Sequence, residues 1–122
     1  MAVGLGPSWA AIDGSGNVYV SNSTEGTVSR ITAATGVVSK TTNVGTGPAG
    51  ICWDNAGHMY VANYGAGSGT VSMISTPAGV VLNTISVGSG PTSGPFGVVY
   101  DGTSRVWAAL SVDNKVAWIP AL

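Results

Sequence analysis

The sequence predicts an all-β fold assembled from repeated four-stranded antiparallel units, on three observations. The chain aligns with itself three times, and each copy breaks into strand-length runs of Val, Ile, Ala, Tyr and Trp separated by Gly-containing turns. Only 7% of the 122 residues are charged, whereas 19 are glycine. β-Branched and aromatic residues pack well on a pleated surface, and glycine supplies the positive φ of tight turns. At 44% hydrophobic the chain is also far from the charged, apolar-poor composition of a disordered one.

The first strand of each copy lies in GPSWAAID (6–13), GPAGICWD (47–54) and GPFGVVYD (94–101), which align without a gap. Each segment ends on an aspartate, Asp13, Asp54 or Asp101, and three residues separate it from Asn17, His58 or Arg105. An Asp there bonds the backbone N–H groups that follow it, so the three read as turn formers. A metal or acid–base set is the competing reading, but repetition in every copy spreads the carboxylates around a rim. The second strand follows as VYV (18–20), MYV (59–61) and VWA (106–108). After the loops NSTEG (22–26), NYGAGS (63–68) and SVDN (111–114), the third strand recurs as TVSRI (27–31), TVSMI (70–74) and KVAWI (115–119). The first two copies continue through a turn into a fourth strand, ATGVVSKTTNVG (34–45) and PAGVVLNTISVG (77–88), while the third has none. VGLGP (3–7) matches VGTGP (44–48) and VGSGP (87–91), the link between one copy and the next. The copies begin 41 and 47 residues apart, and the difference falls in loops near 65–69 and 90–93.

First and second strands that are apolar on both faces suit a sheet sandwiched between neighbours. With a repeat of about 40 to 45 residues holding four strands, that is the pattern of a β-propeller blade. The expected organisation is a single partial propeller over 1–122, with blades at about 6–46, 47–93 and 94–122, the last lacking its fourth strand. YVSN (19–22) and YVAN (60–63) resemble the name motif of the YVTN-type propeller repeat, and TVSxI and VGSGP resemble its remainder. The third copy carries WAAL (107–110) at that place. The GPxG start is similar, more weakly, to NHL-type and virginiamycin B lyase-like propellers. The resemblance implies propeller blades in proteins of binding and surface roles. Propellers close with four to eight blades, so three leave open sheet edges. A homodimer closing a six-blade ring is the expected completion, with KVAWI open to strand addition; the alternative is a piece of a longer protein.

A net charge of −1 gives no field to steer nucleic acid or an anionic membrane. The lone Cys52 excludes an internal disulfide and a cysteine zinc site. No apolar run is long enough to span a bilayer, and MAVGLG lacks an export signature, so no membrane insertion is expected. Low charge with much Gly, Ser and Thr leans towards an extracellular, cell-surface or virion setting. No cofactor or metal is expected, and no catalytic residue: His58 is the one histidine, and no nucleophile sits at a recognisable elbow. Cys52 aligns with Ala11 and Val99 as a small core residue, and Trp53 and Trp107 stand at core-like positions between blades. Trp9, by contrast, replaces Gly50 and Gly97, and Phe96 replaces Ser8 and Ala49, at the end of the innermost strand beside the channel. Aromatic rings there either plug the channel or stack on a sugar face. The candidate ligand set is Trp9, Asn22, Glu25, Tyr64, Phe96 and Asp113. The expected function is a non-catalytic module that oligomerises and presents a loop face to a protein or glycan. The alternatives are a structural subunit of a virion or surface assembly, and an enzyme like virginiamycin B lyase.

Overall fold

The computed structural model describes residues 1–65 and 67–122; Ala66, in the 63–68 loop, lies outside them. The chain forms β1 (Pro7–Ile12), β2 (Val18–Asn22), β3 (Thr27–Thr32), β4 (Val37–Asn43), β5 (Pro48–Trp53), β6 (His58–Asn63), β7 (Thr70–Ser75), β8 (Val81–Ser86), β9 (Pro95–Tyr100), β10 (Arg105–Leu110) and β11 (Lys115–Pro120). They make two four-stranded meanders, β1-β2-β3-β4 and β5-β6-β7-β8, and one three-stranded meander, β9-β10-β11. These are the three expected blades, the third without a fourth strand. The repeat extends to its irregularities. The register shifts near the start of the innermost strand in all three blades, and the pairing of third and fourth strands shifts at Arg30/Ile31 and again at Met73/Ile74. Such bulges re-aim a strand locally. Among the described residues no helix is long and apolar enough to cross a membrane.

The three aspartates form the turns read from the sequence. Asp13 Oδ1 accepts from Ser15 N and Asn17 N, Asp54 Oδ1 from Ala56 N and His58 N, and Asp101 Oδ1 from Thr103, Ser104 and Arg105 N. Those three amides hold the Asp101 carboxyl well below the usual carboxylate range. Each carboxylate thus sits on its own turn, apart from the others.

Blades stack through their innermost strands, β1 beside β5 and β5 beside β9. Two apolar seams result. In the first, Tyr19 and Val28 of blade 1 meet Ile51, Met59, Val61 and Ile74 of blade 2, with Ala11 and Trp53 packed alongside. In the second, Tyr60, Val71, Met73 and Val87 of blade 2 meet Val106, Ala108, Leu110 and Ile119 of blade 3, with Cys52 and Tyr100 alongside. Burial pushes the Tyr19 and Tyr60 hydroxyls and the Cys52 thiol up to about 12, with nearby aspartate charge adding to the effect. Polar bonds cross the first seam as well: Ser21 Oγ donates to Ala49 O at 2.6 Å and Thr42 Oγ1 to Gly79 O at 2.7 Å.

Only blade 2 is apolar-covered on both sides. On the far side of blade 1, Ile12 is exposed; on the far side of blade 3, Val99, Val116 and Trp118 are exposed. Trp107 departs from its core-like expectation for this reason. It occupies the position of Tyr19 and Tyr60, but no blade stands opposite, so it is only half-buried.

Candidate functional site

One end of the blades is built from the loops joining second to third strands together with the links between blades. The same hydrogen bond fastens them in each repeat: Ser23 N donates to Gly6 O, Tyr64 N to Gly47 O and Ser111 N to Gly94 O, at 2.7, 3.0 and 2.8 Å. Gly6, Gly47 and Gly94 each have a φ between 60° and 69°, left-handed backbone that glycine alone adopts at no steric cost, and this turns the carbonyl towards the loop.

Three aromatic rings gather on this face. Phe96 stands edge-to-face with Trp9 (centroids 6.2 Å, interplanar 85°) and with Tyr64 (5.5 Å, 85°). The geometry suits the ring quadrupoles, so each contact fixes the ring as well as packing it. All three nevertheless remain nearly half exposed, at 46%, 46% and 44% for Trp9, Phe96 and Tyr64. The Tyr64 end borders a depression of about 240 Å³ lined by Pro91, Thr92, Gly94 and Val112. A row of fixed, exposed rings beside a shallow hollow can accept the flat apolar face of a ligand.

The three polar members of the candidate set have other work. Asn22 is fully buried. Its Nδ2 donates to Thr27 Oγ1 and Ser29 Oγ at 3.1 and 2.9 Å, and Asn63 repeats the clamp on Thr70 Oγ1 and Ser72 Oγ at 3.0 and 2.8 Å. Gly4 and Gly45 lie directly over these amides: a Cβ would come within 2.6 Å of Asn22 Nδ2 or Asn63 Cγ. Asn22 therefore ties the second strand to the third beneath the inter-blade link, closed off from solvent. Glu25 and Asp113 share a second task. Glu25 Oε2 accepts from Leu5 N at 3.0 Å, and Asp113 accepts from Ser89 N and Ser89 Oγ at 2.7 and 2.6 Å. Leu5 and Ser89 are the middle residues of VGLGP and VGSGP, so both carboxylates anchor the same point of the link. The Ser89 bonds lower the Asp113 pKa. The sequence carried a signal for the Asn22 role: YVxN, TVS and VGxGP recur together in the first two copies, as parts of one lock would.

The structure therefore joins Trp9, Tyr64 and Phe96, buries Asn22 and bonds Glu25 and Asp113 to the links, Glu25 also lining a depression of about 310 Å³ with Ser23, Thr24 and Thr46. Pro91, Thr92 and Val112, absent from the candidate set, line the hollow; the insertion at 90–93 was the available sign. His58 sits at the other end, as the first residue of β6, with Nδ1 2.7 Å from Asp54 Oδ2.

No protein-family model and no curated protein matches the sequence. Among solved structures the chain is similar to a streptogramin B lyase, with a TM-score of 0.81 and 15% identity over 93% of this chain and 37% of that one. It is similar also to virginiamycin B lyase from Staphylococcus aureus, with a TM-score of 0.76 and 16% identity over 94% of this chain and 41% of that one. Kuenenia stuttgartiensis hydrazine synthase gives a TM-score of 0.72 and 21% identity over 88% of this chain and 31% of that one. The chain thus spans less than half the length of each. At these identities the likeness is one of fold, and the fold is that of β-propeller blades.

Proposed function

We propose that the chain is a non-catalytic propeller module that associates with further blades and presents its loop face to a glycan or protein ligand. The observation that carries this is the exposed row Trp9–Phe96–Tyr64, rigidified by two edge-to-face contacts on a face made of loops. Aromatic rings held in this way stack on sugar rings or flat side chains with little ordering entropy left to lose. Apart from the Tyr64 phenol, no titratable side chain among the described residues belongs to the row, which argues for binding over bond-breaking. A lyase reading, prompted by two of the similar structures, finds less support: the sole histidine lies at the opposite end, bonded to a turn aspartate. The test is binding of the 122-residue chain to a glycan array and to extracellular-matrix proteins. Signal that Trp9→Ala and Tyr64→Ala each reduce at least tenfold supports the reading, and signal indifferent to both sinks it. Turnover of a streptogramin that disappears in His58→Ala would establish the lyase instead.

A further inference from the structure

Each seam of this molecule joins a left-hand set of positions to a right-hand set, and both sets recur once more without a partner. The positions of Cys52, Tyr60, Ala62, Val71 and Met73, on the side of blade 2 that faces blade 3, are occupied in blade 3 by Val99, Trp107, Ala109, Val116 and Trp118. The positions of Ile51, Trp53, Met59, Val61 and Ile74, on the side of blade 2 that faces blade 1, are occupied in blade 1 by Ala10, Ile12, Val18, Val20 and Ile31. Every one of these ten unpartnered positions is apolar. Tyr60, Val71 and Met59 are 0% exposed, whereas Val116 is 66% exposed and Ile12 59%. Gly97, Val99, Trp107, Ala109 and Val116 line a hollow of about 330 Å³ on the blade 3 face.

Glycine adds an independent sign. Gly50 lets β5 and β9 approach closely: a Cβ there would stand 2.5 Å from Phe96 O and 2.9 Å from Gly97 Cα. Gly97 holds the same position in blade 3, yet a Cβ there meets nothing within 4 Å. Its missing side chain serves no contact among the described residues. It leaves room for one more innermost strand.

We infer that the partner is a second copy of this chain, whose blade 1 docks on the open face of blade 3. The inference rests on the assembly half of the function proposed above and gives that half its surfaces. The contact joins two different patches, and two copies related by a two-fold axis make it twice, closing six blades into a ring. Arg105, its guanidinium 4.0 Å from the Trp118 ring centre, flanks the face, where the apolar stem covers the rim.

The experiment is the solution mass of the 122-residue chain by light scattering after size exclusion, for wild type, Gly97→Val and Ile12→Lys. Wild type should show twice the 12.1 kDa of one chain, and each variant one chain. Gly97→Val adds its side chain in open space, so its circular dichroism should match wild type. Mixing the two variants should restore mass of two chains, because the mixture contains one intact pairing of blade 3 with blade 1. A wild-type mass of one chain, an open-ended series of larger masses, or a dimer that survives both substitutions overturns the inference. So do variants that dissociate singly and are not rescued by mixing. The glycan-array result with Trp9→Ala is read on the other face, so either reading can fail without the other.

Discussion

At the scale of the residue, equivalent side chains in successive blades have unequal partners, and this makes sharp comparisons possible. Tyr60 Oη accepts from Leu122 N at 3.1 Å and donates to Asp54 Oδ2 at 3.3 Å, whereas the buried Tyr19 hydroxyl has no partner among the described residues. The residue equivalent to Leu122 in blade 2 is Pro77, which has no N–H to give. Tyr60→Phe should therefore cost about 1 kcal/mol in urea unfolding, and Tyr19→Phe should stay within about 0.5 kcal/mol of wild type. Asn63→Ala should cost about 1–3 kcal/mol in the same assay, since it strips the buried Ser72 hydroxyl and the half-buried Thr70 hydroxyl of their amide donor. The tyrosines and Cys52 also set a pH dependence. Their folded pKa values of about 12 stand above ordinary values of 10.0 and 9.0, so the unfolded chain releases protons that the folded chain keeps. Stability is full below pH 9 and falls as pH rises from there towards 12. Melting temperatures at pH 8 and pH 10.5 check the sign, and Cys52→Ala should shrink the difference. The residue scale was also where sequence reading was weakest. Glu25 and Asp113 are polar letters in loops, and nothing in a single letter distinguishes a hydrogen bond made inward to a link from one offered to a ligand. Trp9 and Phe96 were legible because each breaks the pattern of its own repeat.

At the scale of the element, strand order and turn chemistry were readable almost to the residue, because Asp and Gly mark the turns and the repeat supplies two independent copies of each boundary. The innermost strands were the exception. β5 runs Pro48–Trp53 inside the segment 47–54 read from the sequence, but its register shifts between Pro48, opposite Asn63, and Ile51, opposite Val61, which the sequence did not announce. A bulge leaves no compositional mark when the residues inside it are small. The close approach of β5 to β9 belongs here too. Gly50→Ala should destabilise the fold by about 1–3 kcal/mol, as overpacking does, because its Cβ would press on the backbone of β9. Gly97→Ala in the same denaturation series should change little in a chain held dilute enough to be monomeric. Equal losses at the two positions would show that the space beside Gly97 is occupied.

At the scale of the molecule, the blade count and the missing fourth strand were legible from self-alignment, while the distribution of burial was not. Repetition predicts identical blades, but the position of a blade in the row decides what covers it. Blade 2 has a neighbour on each side, and blades 1 and 3 have one each. Amide exchange should follow: slowest in β5, β6 and β7, and fastest in the outer strands β4 and β8, whose side chains are mostly exposed. Exchange measured by mass spectrometry that is uniform across the blades would contradict this. The placement of the tryptophans has a spectroscopic consequence. Trp53 lies in the first seam, Trp9 on the loop face, and Trp107 and Trp118 together on the uncovered side of blade 3. Intrinsic emission is therefore a sum of three separable reporters. With the other indoles replaced by Phe, quenching of Trp9 on addition of a glycan tests the proposed loop-face site, and a red shift of Trp118 on dilution tests the proposed docking of two copies.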